Sequence, residues 1–92
     1  MRVTYSPRAL AQLQSIFAYI EESNPRAARA VVDHIQATAD LLGVFPWMGR
    51  PTDEKDVRLR VDTKYPYLIF YKVLEETNEV RVLRVLHGAQ RR

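Results

Sequence analysis

Tyr67-Leu68-Ile69-Phe70-Tyr71-Lys72-Val73-Leu74, then Glu75-Glu76-Thr77-Asn78-Glu79, then Val80-Arg81-Val82-Leu83-Arg84-Val85-Leu86-His87 follow one another directly, and their succession decides the fold. The first stretch is apolar on both faces apart from Lys72, as a central strand covered on two sides would be. The second is a polar turn, and the third is the last strand. Just upstream, Val57, Leu59 and Val61 alternate with Arg58 and Arg60, which predicts a half-buried strand with one arginine face. Three consecutive strands make an antiparallel meander.

Working back, Val44 to Asp56 holds two prolines, a glycine and mixed charge around Phe45-Pro46-Trp47-Met48-Gly49-Arg50-Pro51. This is a loop with an aromatic anchor rather than a flexible linker. Before it lie two helices. Ser6-Pro7 is a start signal, serine capping and proline opening, after which Leu10, Leu13, Phe17 and Ile20 recur at helical spacing from about Pro7 to Glu22. Asn24-Pro25 repeats that logic, Ala28, Val31, Val32, Ile35, Ala39 and Leu42 trace a second apolar stripe, and Gly43 is expected to end the helix. The short connection makes an antiparallel hairpin. With Arg2 to Tyr5 as a first strand, the predicted fold is α+β: a helix hairpin on one face of a small, mostly antiparallel four-stranded sheet, ordered β-α-α-β-β-β.

Ninety-two residues leave room for one domain, residues 1–92, whose thin core buries about 60 to 65% of the unfolded surface and leaves a place for a partner. The absence of cysteine and the two lone histidines at positions 34 and 87 argue against a disulfide framework or a structural zinc site, and no cofactor is implied. No apolar run approaches the ~20 residues that span a bilayer and no signal-peptide pattern opens the chain, so a cytoplasmic location is expected. The net charge of +3 is all in the second half. Four arginines balance four acids from Met1 to Pro46, whereas ten bases face seven acids from Trp47 to Arg92.

Side chains of a strand alternate with a period of two. In the last strand Val80, Val82, Arg84 and Leu86 are three-quarters apolar, against half for Arg81, Leu83, Val85 and His87. Assigning the first set to the helix side places Arg58, Arg60, Arg81 and His87 together on an open face. A one-residue slip or bulge would invert that arrangement.

Tyr5-Ser6-Pro7 with Ala9, Asn24-Pro25-Arg26-Ala27-Ala28, Phe45-Pro46 with Gly49-Arg50, Val57-Arg58, Tyr67-Leu68-Ile69-Phe70-Tyr71 and the closing Leu86-His87-Gly88 occur in an order that resembles the ParE/RelE superfamily of toxins from bacterial type II toxin-antitoxin pairs. The resemblance covers nearly the whole chain. It implies a toxin neutralised by a cognate antitoxin in a hetero-oligomer, the antitoxin being ParD-like with an acidic toxin-binding tail. RelE-like members are ribosome-dependent mRNA endonucleases; ParE-like members poison DNA gyrase. RelE-like enzymes tend to carry an arginine on the third of these strands, where this chain has Leu68, lysines on the second, where it has Arg58 and Arg60, and a tyrosine in a C-terminal extension, where it ends at Arg92. These departures favour the ParE-like, non-enzymatic branch and DNA gyrase as target. The alternatives are the mRNA endonuclease and a non-toxic basic RNA-binding module.

Metal-independent RNA cleavage needs a base, an acid for the leaving oxygen, and cations on the phosphorane charge. If the chain is a nuclease, His87, Arg58, Arg60 and Arg81 are the candidates; otherwise those four and Trp47 are the candidate target- or antitoxin-binding residues. Phe45, Trp47 and Met48 either form a recognition knob or pack their loop onto the core. Tyr67 and Tyr71 fit a sheet core better than a base-stacking platform, and His34 fits a helix surface. No phosphate loop, catalytic carboxylate pair or metal-ligand cluster stands out.

Overall fold

The computed structural model describes residues 1–62 and 64–88. Along the chain it has β1 (Arg2–Tyr5), α1 (Pro7–Glu21), α2 (Pro25–Val44), β2 (Arg50–Pro51), β3 (Arg58–Val61), β4 (Tyr67–Leu74) and β5 (Glu79–His87). The sheet has five strands in the order β1-β5-β4-β3-β2, with only the β1–β5 pair parallel. The strand beyond the four expected is β2, two residues of the proline-rich loop that pair with Leu59 and Arg58.

Both helices begin where the caps place them. Ser6 Oγ accepts the Ala9 N–H at 3.0 Å, Asn24 Oδ1 accepts that of Ala27 at 3.1 Å, and a proline follows each cap. The phase of α1 differs from expectation. Ala9, Leu13, Ile16 and Ile20 face the core, while Leu10 is 47% exposed, because the cap fixes the rotation of the first turn and the small Ala9 lets the helix backbone approach the sheet. Gly43 does not end α2, which runs on to Val44. Its lack of a side chain serves a crossing instead: a Cβ there would stand 2.5 Å from the Met1 carbonyl oxygen, whose residue also donates its amino group to the Gly43 carbonyl at 2.9 Å.

The helices lie chiefly over β1 and β5. Between helices and sheet, Ile35 and Leu42 of α2 and Ile69, Tyr71, Val80, Val82 and Val85 of the strands are almost fully buried, so the sheet-core reading of the tyrosines holds for Tyr71 and for the buried Tyr67.

One feature of β5 overturns the predicted faces. Phe70 pairs with Arg84 but Tyr71 pairs with Val82, leaving Leu83 as a bulge that reverses the alternation beyond it. The helix side therefore reads Val80, Val82, Val85 and His87, and the far side Arg81, Arg84 and Leu86. Arg84 and Leu86 were expected under the helices, and His87 and Val85 away from them. The bulge is held by α1: Ser6 Oγ donates to the Leu83 carbonyl at 2.9 Å, and Gln12 Oε1 accepts the Val85 N–H at 2.8 Å. Gln12→Ala leaves that N–H without its partner and is expected to cost about 1 to 3 kcal/mol in denaturant unfolding. A loss within measurement error would show that water replaces the side chain.

Candidate functional site

Arg58 pairs with Tyr71 and Arg60 with Ile69, and paired residues share a face, so both arginines point to the helix side rather than the open one. The sequence pattern misleads here because the helices stop short of β3. The margin they leave is taken by the Phe45–Gly49 loop, while on the far face Glu54, in the segment after β2, reaches Arg84. Arg58 fastens that first loop, donating through Nε to the Gly49 carbonyl at 3.1 Å and through Nη2 to that of Trp47 at 3.2 Å. Its guanidinium lies 5.3 Å from the Trp47 ring centroid. Tyr71 completes the latch: its hydroxyl donates to the Pro46 carbonyl at 2.7 Å and accepts the Gly49 N–H at 2.9 Å.

The latched loop does not bury its aromatics. Phe45 is 58% and Trp47 55% exposed, and with Leu41, Val44 and Met48 they form a run of exposed apolar residues from the end of α2 into the loop. Of the two readings of the cluster, packing onto the core fails, because its anchors are backbone carbonyls held by Arg58 and Tyr71.

The remaining candidates are dispersed. His87 sits at the end of β5 on the helix side, edge-on to Tyr67 with ring centroids 5.4 Å apart. It lines a groove of about 580 Å³ with Ser15, Ile16, Tyr19, Ile20 and Tyr67; burial raises the Tyr67 hydroxyl pKa. Arg60 has its Nε buried without a hydrogen-bond partner among the described residues. Arg81 alone of the four is on the far face, 3.3 Å from Glu79. The four residues expected to share one face do not meet.

Glu79 is the buried carboxylate of that face. Hydrogen bonds from Thr4 Oγ1 and Thr77 Oγ1, helped by the charges of Arg81 and Arg2, lower its pKa from 4.5 to about 2. A carboxylate depressed in this way stabilises the fold above its ordinary pKa and loses that contribution as the pH falls from about 4.5 to 2. Glu79→Gln is therefore expected to flatten stability across that window in an acid titration followed by circular dichroism; an unchanged acid limb would place the sensitivity elsewhere.

One pairing escaped the sequence reading. His34 is not a free helix-surface residue. Its Nε2 lies 2.9 and 2.8 Å from the two oxygens of Asp62, a carboxylate only 7% exposed whose Oδ1 also accepts the Lys64 N–H at 2.9 Å, and its ring meets Tyr65 edge-on. The local signal was an aspartate opening a turn before Tyr65-Pro66; its partner on α2 is 28 residues away. Among the described residues no group of histidine or acidic side chains is placed to hold a metal ion, and no helix is long and apolar enough to cross a membrane.

With this geometry in hand, the likeness to known proteins is consistent from sequence to fold. The family described as "ParE toxin of type II toxin-antitoxin system, parDE" matches residues 3–92. The "Putative toxin Y4kP" of Sinorhizobium fredii is 38% identical over 97% of this chain and 90% of its own, and "Toxin RelE2" of Caulobacter vibrioides is 33% identical over 97% of each. In the solved chromosomal ParDE system from P. aeruginosa, one chain superposes with a TM-score of 0.82 at 22% identity, covering 95% of both chains. The capped helix hairpin, the bulged meander and the match along almost the whole sequence agree: the chain belongs to the ParE toxin family of type II toxin-antitoxin systems.

Proposed function

We propose that this toxin acts as ParE-like members do, arresting growth by engaging DNA gyrase, and that a cognate antitoxin with an acidic tail neutralises it. The observation that carries the choice of target is the scattering of the nuclease candidates. A cyclising ribonuclease must converge a base, an acid and cations on one phosphate. Here Arg58 is committed to two loop carbonyls, His87 and Arg81 point to opposite sides of the sheet, and Arg81 has Lys72 as its far-face neighbour on β4 but neither histidine beside it. What the domain does present in one place is the Leu41–Met48 apolar patch with Arg58 beside Trp47, a surface suited to another protein. The antitoxin reading draws on the ParDE likeness and on the basic second half of the chain.

The test incubates purified toxin with gyrase and, separately, with translating ribosomes. Inhibited supercoiling or a stabilised cleaved-DNA complex, with ribosome-bound mRNA left intact, is the expected result. Codon-phased mRNA cuts that vanish in His87→Ala would move the protein to the endonuclease branch.

A further inference from the structure

We propose that the far face of the sheet carries a carboxylate-binding pocket centred on Arg84, filled in the free toxin by its own Glu54, and that an acidic segment of the antitoxin docks there by displacing that residue. The inference rests on the reading that an antitoxin covers the toxin, and names where and by what chemistry. Arg84 lies over Phe70, its guanidinium carbon 4.4 Å from the ring centroid, in a hollow of about 370 Å³ that Arg8 and Leu86 also line. A second hollow of about 360 Å³, lined by Arg50, Pro51 and Leu59, shares Thr52, Asp53 and Phe70 with the first. Together they form a groove across the face that sets the apolar Phe70, Leu86 and Leu59 beside the cations Arg8, Arg84 and Arg50 and the acids Asp53 and Glu54.

The way Arg84 is occupied points to a displaceable group. Nη2 donates to Glu54 Oε2 at 3.1 Å, whereas Nε is buried with no hydrogen-bond partner among the described residues. A guanidinium offers those two donors side by side, and a carboxylate that takes both makes the stronger, bidentate pair. The Glu54 side chain is 57% exposed against 22% for Arg84, and its backbone is held independently, the N–H by Thr52 Oγ1 and the carbonyl by the Val57 N–H. Releasing Arg84 therefore needs only rotation of one exposed side chain. Exchanging one carboxylate for another changes little by itself, so the partner gains from Nε, from Arg8 and from apolar anchors on Phe70, Leu86 and Leu59. A run of phosphates gains little from the apolar Phe70, Leu86 and Leu59, which suit the side chains of a peptide that brings carboxylates and apolar residues together.

The experiment measures binding of the whole chain to a fluorescent twelve-residue peptide of alternating leucine and glutamate, with its glutamine counterpart and a dodecathymidylate as comparisons. The leucine-glutamate peptide is expected to bind best. Glu54→Gln is expected to tighten that binding three- to tenfold, whereas Asp33→Asn, the same charge change on exposed α2, shifts it less than twofold. Arg84→Lys keeps the charge but not the fork and should weaken binding at least tenfold. Equal gains for Glu54→Gln and Asp33→Asn, unchanged binding by Arg84→Lys, or tighter binding of the oligonucleotide would each overturn the pocket. If Arg84→Lys does not fold, the comparison of the other two variants decides. Growth assays with and without the antitoxin separate the premises: a toxin still lethal and still rescued, whose Glu54→Gln variant gains nothing, loses the pocket and keeps the toxin reading.

Discussion

Tyr71→Phe is expected to lower stability by about 1 to 3 kcal/mol and the melting temperature by on the order of 10 °C, although only one oxygen is removed. That oxygen is the partner of both the Gly49 N–H and the Pro46 carbonyl, and the N–H lies where water does not replace it. Tyr71→Ala adds a cavity in the core and should approach a loss of about 3 to 5 kcal/mol, a large share of the 5 to 15 kcal/mol that usually holds a domain together. Gly49→Ala reaches the same latch from the other side. Its Cβ would stand 2.5 Å from the Tyr71 hydroxyl and 2.9 Å from the Leu59 carbonyl oxygen, so the hydroxyl must leave. Tyr71→Phe combined with Gly49→Ala should then fall short of the sum of the two losses, since both remove one interaction. Thermal unfolding of the four proteins checks this. Full additivity would mean that the hydroxyl does not organise the loop.

Trp47→Ala is expected to do the reverse, leaving the melting temperature nearly unchanged while relieving growth arrest. The ring is more exposed than buried and supports no backbone bond, so its removal should change stability by no more than about 0.5 kcal/mol. If the Leu41–Met48 patch is the target-facing surface, a tryptophan at its centre is an anchor whose truncation costs about 2 kcal/mol or more, roughly a thirtyfold loss of affinity. Arg58→Ala makes a useful contrast, because it removes both the charge beside the ring and the loop's carbonyl anchors, and should lower stability and toxicity together. The readouts are calorimetry, inhibition of supercoiling and survival on induction. A Trp47→Ala variant that melts early yet remains fully toxic would reassign the patch to folding.

Local chemistry alone determined much of this protein. Ser6-Pro7 and Asn24-Pro25 fixed both helix starts, the central strand at Tyr67 to Leu74 was legible from its unbroken apolar run, and the order of elements carried the family. Each of these signals acts within a few residues, where capping and alternation operate. The faces of the sheet were decided by tertiary structure. A single extra residue at Leu83, stabilised by Ser6 and Gln12 from the far end of the chain, sends Arg84 and His87 to the sides opposite those that alternation assigns. The helix layer, narrower than the sheet, leaves Arg58 and Arg60 on the helix side but beyond the helices, where Arg58 grips a loop. His34 and Asp62, Arg84 and Glu54, and Glu79 with Thr4 are likewise pairs separated by 28, 30 and 75 residues. A sequence pattern records which face a residue prefers, but whether a distant side chain arrives to satisfy it depends on how the layers close.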